Sequence, residues 1–144
     1  MEHKQIAQAV TSLYASLKFT PPPRQYTVLA SFVLFDRQQD VYKIISLATG
    51  SKCLPASRLP PKGDALHDSH AEVLARRGAI RWILEEICRN PSSMDDSPWI
   101  RHCSDGFFAL KDHIDIILYV STVPCKSYTP PSFPNTPLTR ARRW

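Results

Sequence analysis

The chain has 144 residues, a formal net charge of +5 and a pI near 9.2, with thirteen prolines against four glycines. That length suits one buried core rather than two domains, and the charge suits a polyanionic partner, although solvated lysines would produce the same value. The longest apolar run, Val28 to Phe35 broken by Ser31, is too short to span a bilayer, and Met1 to Gln5 lead into no apolar segment of a secretory signal, so no membrane partner is expected.

Residues 4–19 place Ile6, Ala9, Val10, Leu13, Tyr14 and Leu17 at helical spacing, and Pro21 to Pro23 end the pattern. Residues 1–23 therefore read as an N-terminal helix and a Pro-rich linker. Tyr26 to Phe35 and Val41 to Leu47 are β-rich and joined by Asp36-Arg37-Gln38-Gln39-Asp40, which predicts a hairpin. Gly50 to His67 carries Pro55, Pro60, Pro61 and Gly63 and is expected to be irregular, with little strand pairing. A helix is expected from Ser69 to about Cys88. Its apolar residues, Val73, Leu74, Ile80, Ile83, Leu84 and Ile87, spread too widely for one stripe. That predicts burial on more than one side, with Arg76, Arg77 and Arg81 needing partners or a route to water. Asn90 to Gly106 reads as a loop or insertion. Ile114 to Val120 is a continuous β-branched run, expected of a strand covered on both faces. Strand, strand, helix and strand around one buried sheet indicate an α/β fold. From Lys126 onward apolar periodicity is lost, and 126–144 is expected to be a basic, Pro-rich, disordered tail.

Chemistry concentrates at His70-Ala71-Glu72 and Val123-Pro124-Cys125. Histidine-any-glutamate, then proline-cysteine after a strand, is the pattern of zinc-dependent nucleobase deaminases. If His70 lies in the first turn of a helix and Cys125 just beyond a neighbouring strand, the two can converge on one Zn²⁺. Glu72 would then move protons for a hydrolytic deamination. The same residues also fit a capping box, with Ser69 as N-cap and Glu72 at N3. In that reading His70 is a surface residue and Cys125 an ordinary buried thiol; the two readings are compatible. His67 is expected to be exposed, and His3, His102 and His113 form no ligand set. The pattern calls for a second cysteine after Cys125, and none follows. Cys53, Cys88, Cys103 and Cys125 form no C-x-x-C pair, which disfavours a cytidine-type deaminase and a secreted disulfide framework alike. A reducing compartment, cytoplasm or nucleus, is expected.

Gly50-Ser51-Lys52-Cys53, Asp68-Ser69-His70-Ala71-Glu72-Val73-Leu74-Ala75-Arg76-Arg77 and Leu118-Tyr119-Val120-Ser121-Thr122-Val123-Pro124-Cys125 resemble the adenosine-to-inosine editase domain family, and Phe107 to Lys111 is similar to a shorter segment of it. That family unites double-stranded-RNA editing adenosine deaminases with the eukaryotic tRNA-specific branch, which modifies the nucleotide 3′ of the alanine anticodon. The resemblance covers residues 24–125 and only the front part of a longer domain. It implies a cytidine-deaminase-like mixed sheet with flanking helices, incomplete at the C-terminus.

The resemblance further implies that His70 and Cys125 are Zn²⁺ ligands and Glu72 the proton shuttle. Arg76 and Arg77 would bind a buried inositol hexakisphosphate, and Asp68 would start a hydrogen-bond relay from the metal toward that cofactor. Ser51 and Lys52 would lie near the flipped adenosine and an RNA phosphate. The plainer alternatives are a solvated arginine face, a carboxylate favouring a helix N-terminus and a solvated loop lysine. RNA, most like tRNA, is the expected partner, with no DNA; only about two dozen residues precede the domain, where RNA editors carry double-stranded-RNA-binding modules. The family continues Pro-Cys-Gly-Asp where this chain has Lys126-Ser127 after Cys125. A truncated chain, inactive alone, is therefore expected. The alternatives are a non-catalytic RNA-binding fragment or pseudo-enzyme and, within the family, a double-stranded-RNA editor.

Overall fold

Strict alternation along one central strand organises the computed structural model, which describes residues 3–19, 26–62, 64–89, 97–103 and 105–122. Strand β1 (Leu29–Asp36) pairs antiparallel with β2 (Val41–Thr49) on one side. On its other side it pairs, also antiparallel, with a late strand spanning Ile114–Val120. Leu29 and Val33 face one way and pack against Ile6 and Val10 of helix α1 (His3–Ser16). Ala30 and Leu34 face the other way, toward helix α2 (Ala71–Arg89). The result is a helix–sheet–helix sandwich, the α/β class expected from the order of elements.

The hairpin forms as expected. Asp36 accepts hydrogen bonds from the backbone N–H groups of Gln38 and Gln39 at 2.8 and 3.0 Å, and Asp40 closes the turn in the left-handed region at φ 54°. A register shift between Phe32 and Val33 leaves Ile45 as the extra residue of a bulge in β2. That bulge lets both Ile44 and Leu47, three apart, face α1 while Ile45 joins the α2 side.

Three expectations are corrected. Helix α2 is buried along one side among the described residues: Ala71, Ala75 and Ala79 form the contact, while Ile80 and Leu84 are 41% and 56% exposed. Small residues draw the helix close to the sheet, and an added Cβ at Gly78 would sit 3.1 Å from Ser46 Cβ. The last strand of the central sheet is covered along the whole of one face only; on the other, Ile114 and Val120 at its two ends are packed and the middle is open. Its Ile117 and Tyr119 pack on the α1 side, whereas Ile116 and Leu118 are exposed, because α2 lies over β1 and β2. Segments read as irregular also contain paired strands. Here β3 (Ser51–Cys53) pairs with β4 (Asp68–His70), and β5 (Ile100–His102) pairs with β6 (Phe108–Leu110), which places the central sheet's edge strand as β7. No helix of the described residues is long and apolar enough to cross a membrane. Pro21 to Pro23, Cys125 and the tail 126–144 lie outside the described residues.

Candidate functional site

Gly50 stitches the site to the sheet. Its N–H donates to the Val28 carbonyl at 3.1 Å, and its own carbonyl accepts from the N–H of Ala71, the first residue of α2, at 3.1 Å. A side chain there would collide with the Ser69 carbonyl oxygen, so the close approach requires glycine. From this point β3 and β4 run antiparallel with Ser51 opposite His70, Lys52 opposite Ser69 and Cys53 opposite Asp68. Period-two alternation then puts Ser51, Cys53, Asp68 and His70 on one face of the pair.

On that face three donor atoms converge. Cys53 Sγ lies 3.3 Å from His70 Nδ1, and Asp68 Oδ1 lies 2.8 Å from the same nitrogen while also accepting the His70 backbone N–H at 2.9 Å. The backbone N–H and imidazole of His70 hold the Asp68 carboxyl below its ordinary value despite partial burial. Cys53 is exposed as a residue. The protein atoms packed around its thiol, followed by the negative charge of Asp68, push its pKa up, with a smaller push from Glu72. The His70 ring and the Cys53 thiol both hydrogen-bond to the Asp68 carboxylate, which ties the three donor atoms together. The sulfur, nitrogen and oxygen all lie within 4.8 Å of one another, and thiolate, imidazole and carboxylate are the donors zinc takes. The residues fit a zinc-class ion.

His70 ends β4 and immediately precedes α2, one step earlier than the first-turn position expected for it, because pairing with Ser51 keeps its backbone extended. The same pairing displaces the capping box: Ser69 is a strand residue, the helix begins at Ala71, and Gly50 accepts the first N–H. Glu72 is half-buried in the first turn of α2, accepts no hydrogen bond among the described residues, and its charge reaches Cys53. Ser51 is half-buried; Lys52, His67, Arg76 and Arg77 are exposed. Cys53 escaped the sequence reading because its partners lie on a strand pairing hidden among prolines. The available signal was Asp68-x-His70, a period-two pair able to share a strand face.

Cys125 lies outside the described residues, but the strand leading to it does not. Ala30, Ala71 and Ala75 form one buried cluster with Val120 packed against it. The Ser121 N–H donates to the Leu29 carbonyl at 2.8 Å, which brings the end of β7 to the entry of β1.

Fold and site together define an α/β protein of the deaminase type. Residues 46–131 match the family model of the adenosine-deaminase (editase) domain, and the chain belongs to that family. It is 33% identical over 124 residues to tRNA-specific adenosine deaminase 1 of Drosophila melanogaster, a match covering 85% of this chain and 30% of the relative. It is 38% identical over 135 residues to the Saccharomyces cerevisiae protein of the same name, covering 85% and 33%. The double-stranded RNA-specific adenosine deaminase of Rattus norvegicus is 29% identical over 126 residues, covering 85% of this chain and 11% of that protein. The chain thus spans about a quarter to a third of the length of the tRNA-specific relatives it matches.

Proposed function

We propose that this chain carries the front part of a zinc-dependent site that deaminates adenosine to inosine in RNA, with tRNA as the substrate class. The observation that carries the reading is the packing of Val120 against Ala71 and Ala75. His70 directly precedes Ala71, and Cys125 follows Val120 by five residues, a stretch that reaches up to about 17 Å. The described strand end thus leaves Cys125 within chain reach of the end of the sheet where His70 stands, which supports the reading. The names of the fly and yeast relatives favour tRNA, and that of the rat protein keeps double-stranded RNA as the second substrate class.

In this reading His70 and Cys125 hold the zinc. When bound, the metal supplies the Lewis acidity that makes water a nucleophile at neutral pH. Glu72 would take one proton from the attacking water and pass it to the ring nitrogen, then carry the second, from the hydroxyl added to carbon, to the amino nitrogen. The bond from carbon to oxygen forms first, with the ring nitrogen protonated; the bond to the amino nitrogen then breaks, and ammonia leaves. Asp68, tied to both the N–H and the ring of His70, fixes the imidazole. Ser51 flanks the base and Lys52 meets a phosphate. Arg76 and Arg77 are adjacent exposed cations without ion pairs among the described residues, and they suit a polyphosphate such as inositol hexakisphosphate.

The 144 residues contain no cysteine beyond Cys125, so this chain alone is expected to leave tRNA adenosine unchanged. The test is a chimera in which residues 1–125 replace the matching third of the yeast tRNA-specific enzyme. Inosine formed in tRNA by the chimera and abolished by Glu72→Gln supports the reading. A folded, zinc-loaded chimera that makes none, while still binding RNA, favours a non-catalytic RNA-binding product.

A further inference from the structure

The far end of the central sheet carries a cavity of about 580 Å³, lined by Arg37, Gln38, Arg101, Lys111, Asp112 and His113. Arg37 follows β1 directly and faces the start of β7, whereas His70 and its neighbours lie where β1 begins and β7 ends. The eight residues of β1 put about 24 Å between the two places. We propose that this cavity seats a backbone phosphate of the RNA substrate, an anchor remote from the reacting base. This rests on reading RNA as the partner and adds a contact to it.

Three segments build the cavity, and backbone hydrogen bonds join them. The Arg37 N–H donates to the His113 carbonyl at 3.0 Å, tying the β1–β2 turn to the start of β7. The Lys111 N–H donates to the Trp99 carbonyl at 3.0 Å, tying the approach to β7 to the entry of β5. Arg37, Arg101 and Lys111 therefore converge from separate parts of the chain, against one lining carboxylate, Asp112. The Arg37 guanidinium is held by the Asp115 carboxylate at 3.2 Å and by the Asp112 carbonyl, which leaves the other N–H groups of its fork available. Arg101 meets Asp112 through one nitrogen at 3.1 Å, and that carboxylate is 89% exposed. Such a pair is worth little and yields to a stronger anion. Lys111, half-buried, has no ion pair among the described residues.

The exposure of the cations decides the class of occupant. The Arg37 and Arg101 side chains are 46% and 48% exposed, so water and salt reduce their hold on a lone phosphate to a small gain. A phosphate tethered to an RNA that is bound elsewhere arrives at high local concentration, and its neutralisation releases counterions. The cavity is also larger than one phosphate and leaves room for the flanking riboses. A ligand that reaches both ends of β1 must be far longer than a nucleoside, which suits a folded RNA.

The test uses the full chain and fluorescently labelled tRNA, with anisotropy read at stepped salt concentrations and circular dichroism confirming the fold of each variant. Lys111→Ala breaks no ion pair of the described residues. It should weaken tRNA binding about two- to fivefold and lower the slope of log affinity against log salt by about one. Lys111→Arg should restore both. Asp112→Ala removes the one negative lining group and should tighten binding by a similar factor, a reversal of sign that a folding defect would not produce. Amide NMR separates the sources of phosphate: tRNA should shift the Lys111 and His113 resonances, and inorganic phosphate at millimolar concentration should not. Saturable shifts with inorganic phosphate alone overturn RNA as the occupant. Unchanged affinity and slope in Lys111→Ala, with wild type binding tRNA, overturn the cavity's role and leave the RNA reading standing. No tRNA binding by folded wild type overturns both.

Discussion

Cys53 and His70, seventeen residues apart, are brought within 3.3 Å because β3 and β4 pair with Cys53 opposite Asp68 and Ser51 opposite His70. A shift of one residue would send Cys53 to the face that carries Ser69 and dissolve the cluster. The register is held at one end by Gly50, bonded to both Val28 and Ala71, and at the other by the Leu54 N–H donating to His67 at 2.8 Å.

Gly50→Ala tests that control. The added methyl meets the Ser69 carbonyl, a backbone atom that cannot turn aside, so the β3–β4 pair must move. We expect destabilisation of about 3 kcal/mol, at the upper end of ordinary overpacking, measured by urea unfolding, together with weaker metal binding. Gly78→Ala meets Ser46 Cβ at 3.1 Å, a far milder contact that β2 must yield by a few tenths of an ångström, and the gain in helix propensity offsets part of that cost, so it should destabilise much less than Gly50→Ala. Equal effects at both glycines would contradict this account.

Arg76 and Arg77 lie in solvent, so replacing them with alanine should change unfolding free energy by no more than about 0.5 kcal/mol. Calorimetric titration with inositol hexakisphosphate should nevertheless show affinity falling about fivefold for each arginine, with the loss shrinking as salt rises. Unchanged affinity in the double variant would remove these residues from any polyphosphate site.

How much of this was legible beforehand depends on the length of each pattern. Ile6, Val10 and Tyr14 repeat over several turns, and β1, β2 and β7 are long apolar runs, so the sandwich could be read from spacing. Strands β3 and β4 are three residues each, too short to show a period, and Pro55, Pro60 and Pro61 between them point to loop. The pairing that gathers Cys53 with Asp68 and His70 is a tertiary fact. Exposure of Ile80, Leu84, Ile116 and Leu118 was equally hidden, since an apolar run does not say which of its faces has a neighbour.

Lys52, exposed and on the strand face opposite His70's, offers a test of RNA contact. If it meets a phosphate, Lys52→Ala should weaken tRNA binding similarly across sequences and reduce the slope of log affinity against log salt by about one. A sequence-dependent loss with an unchanged slope would assign Lys52 to base recognition instead.

Stability at low pH should depend on Asp36. Burial alone would raise its carboxyl pKa, but hydrogen bonds from the N–H groups of Gln39 and Gln38, with His113 nearby at 3.7 Å, outweigh it and bring the value below 3.8. A folded-state value below the unfolded one means the ionised group stabilises the fold above pH 3.8, and that this contribution is lost as pH falls through the lowered value. Asp36→Asn keeps an acceptor for the turn but no charge. We expect it to melt lower than wild type at neutral pH and the gap to close in acid. A gap that persists or widens below pH 3.8 would show that the charge is not what Asp36 contributes.

The buried end of α2 gives a last prediction. Glu86, only 7% exposed, accepts a hydrogen bond from Ser97 Oγ at 3.0 Å and pairs with Arg89 at 3.2 Å. The Ser97 oxygen in turn receives the N–H groups of Trp99 and Ile100 at 3.3 Å, and both residues pack in the cluster with Leu34, Ile45 and Ile114. Glu86→Gln preserves an acceptor for Ser97 and loses only the pairing with an exposed arginine, worth at most about 1 kcal/mol. Glu86→Ala leaves a buried hydroxyl without its acceptor and should cost about 1–3 kcal/mol. Hydrogen exchange should locate the damage, with the Trp99 and Ile100 amides losing protection in the alanine variant before those of β1. If glutamine and alanine prove equally stable, the link between α2 and β5 is maintained by packing around Trp99 and not by this carboxylate.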